Sequence, residues 1–124
     1  MAWKYFSESE MACSHCGASN MDSDFMDALD ALREAYGKPL TVTSGYRCPE
    51  HPIEAKKASA GAHSTGKAVD LAVSRGEAHE LLKLALATNQ FTGIGVQQKG
   101  SGRFLHLDMC TDSEMSPRPT VWSY

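Results

Sequence analysis

The sequence has no long apolar run and no excess of positive charge. No stretch of about 18 or more apolar residues occurs in the 124 residues, so no membrane-spanning helix is predicted. The net charge is −3, from 12 basic and 15 acidic residues, and the basic residues form no block. Because nucleic-acid-binding proteins usually carry a basic patch, nucleic acid is not an expected partner.

The first ten residues, MAWKYFSESE, also lack a charged leader followed by an apolar segment. We therefore expect a soluble protein that is made in the cytoplasm, without a secretion signal of its own and without membrane insertion. A chain of this length can bury one core but not two. The prediction is a single domain over residues 1–124.

The four cysteines allow three interpretations. An even number in a small exported domain would indicate two disulfides, whereas the close pair Cys13 and Cys16 in a chain without a signal indicates reduced thiols or a metal knuckle. A structural zinc needs four ligands, so the others would have to be supplied by His15, Cys48, Cys110 or another residue. Buried free thiols, which behave as small apolar side chains, are the interpretation that we favour.

Two segments have the apolar spacing of amphipathic helices. Residues 22–36 repeat apolar side chains every three or four positions, and Gly37 ends the pattern. Residues 75–88 show the same spacing, and Ser74 with Glu77 matches a capping box. We predict a helix in each segment.

Other segments are predicted to be extended, or to form loops, from their alternation and turn residues. The extended segments are residues 3–11, 40–46, 67–73, 91–98, 103–109 and 121–124. The turn KGSG joins two of them into a predicted hairpin, and residues 48–60 predict a surface loop. Together these patterns predict an α+β domain with a mainly antiparallel sheet and two principal helices.

On two predicted strands, polar residues stand on one face while the other face is aliphatic. Asp70 lies between two alanines on one strand, and His106 and Asp108 share a face of another. His63 precedes Asp70 by seven residues, on a turn that contains Gly66. These side chains stand where they could meet above one sheet.

A zinc ion is the group that such side chains could hold. His63, Asp70 and His106 would supply two imidazoles and one carboxylate, which leaves the fourth position of a catalytic zinc open for water. Zinc lowers the pKa of that water to roughly 7 and polarises the carbonyl under attack. A nearby carboxylate is then wanted as a general base. His79, among charged positions of the second predicted helix, is interpreted as a solvated side chain.

Several motifs resemble the zinc D-Ala-D-Ala carboxypeptidase family of metallopeptidases. They are SGYRCPEHP, GAHSTGKAVDLAV, GIGV and FLHLDM followed by a late tryptophan, and they span residues 6–122. The family includes bacteriophage endolysins that cut bacterial cell-wall peptides, and it shares its fold with the hedgehog signalling domain. The family pattern Ser-x-His-x-x-Gly-x-Ala-x-Asp is met at His63, Gly66, Ala68 and Asp70, while Gly61 replaces the serine.

The resemblance implies roles for individual residues. It makes His63, Asp70 and His106 the ligands of one catalytic zinc ion, and Arg47 the arginine that pairs with the substrate or with the developing oxyanion. Many members place a carboxylate, the general base, three residues before the last histidine, but this chain has Arg103 there. Asp108 is our substitute for the base, and the alternative is that Asp108 orients His106 or an arginine.

The resemblance also implies a function. We expect a zinc-dependent metallopeptidase that hydrolyses an amide bond in peptidoglycan stem peptides, as an endolysin or a D-Ala-D-Ala carboxypeptidase does. The alternatives are a non-catalytic zinc-containing module of the same fold that binds the cell wall or a protein, and a zinc-knuckle interaction domain organised on Cys13 and Cys16.

The expected partner is a peptidoglycan peptide, bound by a monomeric protein. Without a leader, an enzyme of this kind would reach the wall after release from the cytoplasm, or as part of a phage particle.

Overall fold

The structure is a computed structural model that describes residues 3–51, 53 and 61–124. Its elements, in chain order, are α1 (Glu8–Met11), α2 (Ser23–Tyr36), β1 (Thr41–Ser44), a 3₁₀ turn (Ala62–Thr65), β2 (Ala68–Ala72), α3 (Arg75–Thr88), β3 (Gly93–Gln97), β4 (Phe104–Asp108) and β5 (Thr120–Ser123). The strands form one sheet in the order β1-β2-β4-β3-β5. Pairing is antiparallel except between β3 and β5, so the predicted α+β class is confirmed.

Helix α2 begins and ends where its sequence predicts. The carboxylate of Asp22 accepts a hydrogen bond from the backbone N–H of Phe25, which satisfies one free donor of the first turn. At the other end, Gly37 adopts a left-handed φ of 77°, and its N–H bonds to the carbonyl of Arg33.

The predicted capping box of α3 is wrong, although the helix itself is confirmed. Ser74 is the N-cap residue, but its hydroxyl makes no capping hydrogen bond. The first helical residue, Arg75, has a positive φ of 52°, so the chain does not enter the helix with the geometry that a capping box requires.

A capping box does form at α1, inside the segment that was predicted to be extended. The Ser7 side chain accepts from the backbone of Glu10, and the Glu10 side chain accepts from the backbone of Ser7. This reciprocal bonding stabilises one short helical turn where aromatic content and alternation had favoured an extended chain.

The main core lies between the two long helices and one face of the sheet. Aliphatic residues of β2 and β4 pack against the apolar sides of α2 and α3. The fully buried side chains of this core, from helices and strands together, include Phe25, Met26, Leu29, Leu32, Val69, Leu71, Leu81, Leu105 and Leu107. No helix in the described ranges is both long and apolar enough to cross a membrane. The opposite sheet face is left for the polar residues of β2 and β4.

The loop predicted over residues 48–60 lies largely outside the described residues. Residues 48–51 and Ile53 are described.

Candidate metal centre

Two of the predicted ligands face each other across neighbouring strands. Asp70 of β2 and His106 of β4 are direct partners in the antiparallel register. Side chains at such positions point to the same face of the sheet and lie within contact distance. His106 Nδ1 is 3.0 Å from Asp70 Oδ1, and both residues are more than nine-tenths buried.

His63 reaches this pair from the 3₁₀ turn that precedes β2. Its Nδ1–H donates to the carbonyl of Gly45 at 2.8 Å, which turns Nε2 toward Asp70. The distance from His63 Nε2 to Asp70 Oδ1 is 3.3 Å. The backbone N–H of Arg47 also donates to the carbonyl of His63 at 3.1 Å, so the turn is tied to the chain beyond β1.

Gly66 closes this turn in a conformation that favours glycine. Its φ is +78°, and a Cβ at this position would lie 2.1 Å from the carbonyl oxygen of Asn20. The backbone N–H of Asp22 donates to the Gly66 carbonyl at 2.8 Å. The motif glycine therefore lets the His63 turn pack directly on the chain that leads into α2.

We predict that Gly66→Ala destabilises the protein by about 2 to 4 kcal/mol, because it adds left-handed strain to a backbone clash. Gly100→Ala is the matched control, since Gly100 has φ +62° and open space around its Cα position. It should cost only about 1 to 2 kcal/mol. Urea unfolding measures both, and equal losses of free energy would contradict the steric explanation.

When both imidazole rings are neutral, the two candidate ligand nitrogens direct lone pairs, and not N–H groups, toward Asp70. A backbone carbonyl only accepts, so His63 carries its proton on Nδ1 and, when neutral, has a free lone pair on Nε2. His106 Nε2 is 2.7 Å from a carboxylate oxygen of Asp108, which places the proton there and the lone pair of a neutral ring on Nδ1. With both rings neutral, a cation between these two nitrogens and Asp70 would bind all three lone pairs.

The spacing of these atoms fits a zinc ion. Two ligands at 2.0 to 2.1 Å from a tetrahedral zinc lie roughly 3.3 Å apart. The separations from Asp70 Oδ1 are 3.3 Å to His63 Nε2 and 3.0 Å to His106 Nδ1. All three ligand atoms lie within 4.8 Å of one another, so the residues present can hold the ion without rearrangement of the strands.

The electrostatics also suit a cation. Burial raises the pKa of Asp70, but the His106 and His63 rings that contact its carboxylate outweigh burial and hold that pKa below its ordinary value. For Asp108, burial likewise raises the pKa, while hydrogen bonds from His106 and Arg118 lower it more strongly, to about 2. Both carboxylates are therefore ionised at neutral pH.

Asp108 lies behind His106 and is fully buried. Besides His106, its oxygens accept from Arg118 Nε at 3.0 Å, from Arg118 Nη2 at 2.8 Å and from the backbone N–H of Cys110 at 3.2 Å. Both oxygens are thus engaged with groups other than a substrate. These contacts favour the alternative in which Asp108 orients His106 over the role of general base.

A cleft of about 460 Å³ opens above the three ligands. Its described lining residues are Arg47, Ile53, Gly61, Ala62, His63, Asp70, Phe104, His106, Met115, Arg118, Trp122 and Tyr124. Asp108 is not among them. The predicted ligands thus form the floor of a groove that is large enough for part of a peptide.

Arg47, for which the family resemblance implies a substrate-binding role, lies on the wall of this cleft. Its Nη2 is 3.9 Å from Asp70 Oδ2, and its side chain is 18% exposed. The hydroxyl of Ser64 donates to the Arg47 carbonyl at 2.6 Å, and this bond ties the arginine backbone to the His63 turn.

The residue at the family's usual base position lies elsewhere. Arg103 precedes β4, and its Nε donates to the carbonyl of Gly100 at 2.8 Å within the hairpin turn. Arg103 does not line the cleft. His79, interpreted from sequence as solvated, is exposed on α3.

Sequence analysis assigned no role to the C-terminal residues that line the cleft, among them Arg118, Trp122 and Tyr124. The Trp122 ring centre is 5.1 Å from that of His106, the Arg118 guanidinium lies 5.1 Å from the Trp122 ring centre, and Tyr124 packs edge-on against Phe104. Residues 121–124 were predicted to be extended, and β5, at the edge of the sheet beside β3, confirms that prediction. Its place beside β3 brings these side chains to the site.

The two glycines of the GIGV motif in β3 make room for Asp108 and Trp122 beside His106. A Cβ on Gly93 would lie 2.3 Å from the Asp108 carboxylate, and a Cβ on Gly95 would lie 2.7 Å from Trp122 Nε1. Two glycines on the same face of one strand therefore leave room for the two side chains that flank His106.

The comparison with protein families agrees with this arrangement. A family model described as Peptidase M15 matches residues 4–108, which include all three candidate ligands, Arg47 and Asp108. A comparison with curated proteins finds no match.

Proposed function

Since this chain belongs to the peptidase M15 family of zinc metallopeptidases, which are D-Ala-D-Ala carboxypeptidase-like, we propose that it hydrolyses an amide bond in peptidoglycan stem peptides. The observation that carries the proposal is the convergence of His63, Asp70 and His106 at the floor of a cleft that Arg47 borders. A phage or prophage endolysin is the biological role that we propose for this activity.

In this proposal the three floor residues hold the zinc, and their neighbours fix their orientation. The Gly45 carbonyl keeps the His63 proton on Nδ1, and Asp108 keeps the His106 proton on Nε2. When bound, zinc supplies a Lewis acid that activates water and polarises the scissile carbonyl. The protein's part is to hold both imidazoles in the tautomer and orientation that face the ion.

Arg47 and the aromatic wall would position the peptide. A guanidinium binds a carboxylate in a forked manner, or stabilises negative charge that develops on a carbonyl oxygen. Arg47 borders the cleft beside Asp70, so a peptide carboxylate or the reacting carbonyl could reach both the guanidinium and the floor. Trp122, Tyr124 and Phe104 offer apolar surface that excludes water from the bound segment.

Asp108 is proposed as a positioning residue for His106. We expect Asp108→Asn to weaken zinc binding by about 10- to 100-fold, as is typical when a partner of a metal-bound histidine is changed. At saturating zinc, much of the turnover should return. Loss of turnover at unchanged zinc affinity would instead assign Asp108 as the general base.

A defined muropeptide identifies the bond that is cut. Release of a single terminal amino acid would indicate a carboxypeptidase, and two peptide fragments would indicate an endopeptidase. Mass spectrometry of the products distinguishes these outcomes. No product from muropeptides of several wall chemistries would contradict the proposed activity.

One observation favours the second candidate, a non-catalytic module that binds the wall or a protein. Among the described residues that line the cleft, Asp70 is the only carboxylate, and it is a candidate zinc ligand. Such a module would bind peptidoglycan or a protein partner in a zinc-dependent manner and leave every peptide bond intact.

A further inference from the structure

Three of the four cysteines form a cluster separate from the cleft. The thiols of Cys13, Cys16 and Cys48 lie within 4.8 Å of one another, and all three are free. The sulfurs of Cys13 and Cys48 are 3.7 Å apart. Two thiolates bound to one tetrahedral zinc at about 2.3 Å would be roughly 3.8 Å apart, so this spacing already suits the ion.

The chain around Cys13 is folded so that backbone donors point at its sulfur. The N–H groups of His15, Cys16 and Cys48 are directed at Cys13 Sγ, the last at 3.4 Å. The loop is closed by the N–H of Gly17, which donates to the Cys13 carbonyl at 2.8 Å while Gly17 adopts a φ of 76°. Converging N–H groups stabilise the negative charge of a thiolate, the form that binds metal.

A fourth ligand is available from the second half of the cluster. Cys48 and His51 repeat the two-residue spacing of Cys13 and Cys16, and the N–H of His51 donates to the Cys48 carbonyl at 3.0 Å. The His51 ring reaches the first loop: Nε2 is 3.0 Å from Ser14 Oγ, and Nδ1 accepts from the N–H of Ile53 at 3.1 Å. Neither ring nitrogen lies within 4.8 Å of all three sulfurs, so His51 would bind the ion after its side chain turns toward them. Two short loops that contact each other thus carry the spacings Cys-x-x-Cys and Cys-x-x-His, which are typical of zinc ligands.

We propose that Cys13, Cys16, Cys48 and His51 form a second, structural zinc site. Cys110 shows the contrast: it is fully buried away from the cluster, and its sulfur lies 3.6 Å from the Thr65 hydroxyl. Cys110 fits the interpretation of a buried free thiol that we favoured for all four cysteines. The other three are better explained as ligands, because their sulfurs face one another and backbone N–H groups.

The second site would hold together the segments that build the cleft. Cys48 directly follows Arg47, and the N–H of Tyr46 donates to the Met11 carbonyl at 2.8 Å, close to Cys13. A Cβ on Gly45 would lie 2.8 Å from the Met11 backbone, so the two segments are in tight contact. The ion would fix the N-terminal segment against the chain that carries Arg47 and the carbonyl partner of His63. This positioning role rests on the proposed function, whereas the metal site itself does not.

Cobalt substitution of the reduced, full-length protein tests the site without reference to activity. Cobalt on thiolates gives a near-ultraviolet charge-transfer band that a site made of two histidines and an aspartate does not give. We expect two cobalt ions per chain and this band in the wild-type protein. Binding of a single ion without the band would overturn the proposal, and this outcome needs no variant that might misfold.

Variants then assign the ligands. Cys16→Ser should lower the intensity of the band, because it removes one of three thiolates, and it should have the least effect on packing, because Cys16 is the exposed member of the cluster. Cys110→Ala is the matched control and should retain the band, as should His63→Ala, which removes only the cleft ion. A band of undiminished intensity in Cys16→Ser and in Cys48→Ser would overturn the site.

His51 is tested against its neighbour. His51→Ala should weaken cobalt binding at the thiolate site, whereas His15→Ala should leave it unchanged, although the two rings are only 6.3 Å apart. The reverse result would overturn the assignment of His51.

Discussion

The His63→Ala variant is expected to lose the cleft zinc and to cleave peptidoglycan at no more than the background rate. His63 supplies one of the three candidate ligand atoms and is 6% exposed. Loss of the ion removes both the activated water and the polarised carbonyl, and we expect a fall in turnover of more than about 1000-fold.

His79→Ala is the control for this variant, because His79 is exposed on α3 and lies outside the cleft. Zinc content and product formation are measured on the same preparations, and circular dichroism confirms that the variant is folded. With the thiolate site intact, zinc should fall from two ions per chain to one. Wild-type cleavage by His63→Ala would show that the proposed mechanism is wrong.

Arg47→Ala should lower kcat/KM by about 100- to 1000-fold while zinc content stays the same. This is the usual loss when one donor to developing negative charge is removed from an active site. Arg47 is not a candidate ligand, and its Nη2 is 3.9 Å from the nearer oxygen of Asp70, so the ion should remain bound. Arg47→Lys should recover only part of the rate, because an ammonium cannot form the forked contact.

The matched control for Arg47 is Arg103→Ala. Arg103 is bonded to the Gly100 carbonyl in the hairpin turn and does not line the cleft, so its removal should leave kcat/KM within about twofold of wild type. Steady-state kinetics on a defined muropeptide measures all three variants. An unchanged kcat/KM in Arg47→Ala would remove the arginine from the proposed mechanism.

The sequence predicts the placement of Asp70 and His106, because both residues lie on regular strands. Strand alternation alone places Asp70 and His106 on polar faces, and the structure makes them direct register partners. The helix spacing that ends at Gly37 is local too, and α2 is confirmed with its cap at Asp22. Local patterns of this kind survive folding because burial of one face decides the register.

Contacts between distant segments are what the sequence could not specify. The parallel pairing of β5 with β3 depends on a connection that leaves no periodic signal, so the approach of Arg118 and Trp122 to His106 was not foreseen. The engagement of Asp108 by Arg118 follows from the same connection. For that reason, sequence analysis could not decide between a general base and a positioning residue.

The cysteine cluster illustrates the same limit. Cys13 and Cys16 are recognisable as a pair in the sequence. Cys48 lies beside them because the chain after β1 packs on the N-terminal segment, where the N–H of Tyr46 donates to the Met11 carbonyl. The spacing of Cys48 and His51 is a local feature of the sequence. It points to a metal site only when the structure shows that the two loops contact each other.

The most direct test of the central claim is to incubate the zinc-loaded protein with purified peptidoglycan and to look for new peptide termini by mass spectrometry. The account predicts new termini that disappear when a chelator removes the metal and return when zinc is restored. Intact stem peptides on several wall chemistries, with zinc bound at the cleft, would contradict it and leave a binding module in its place.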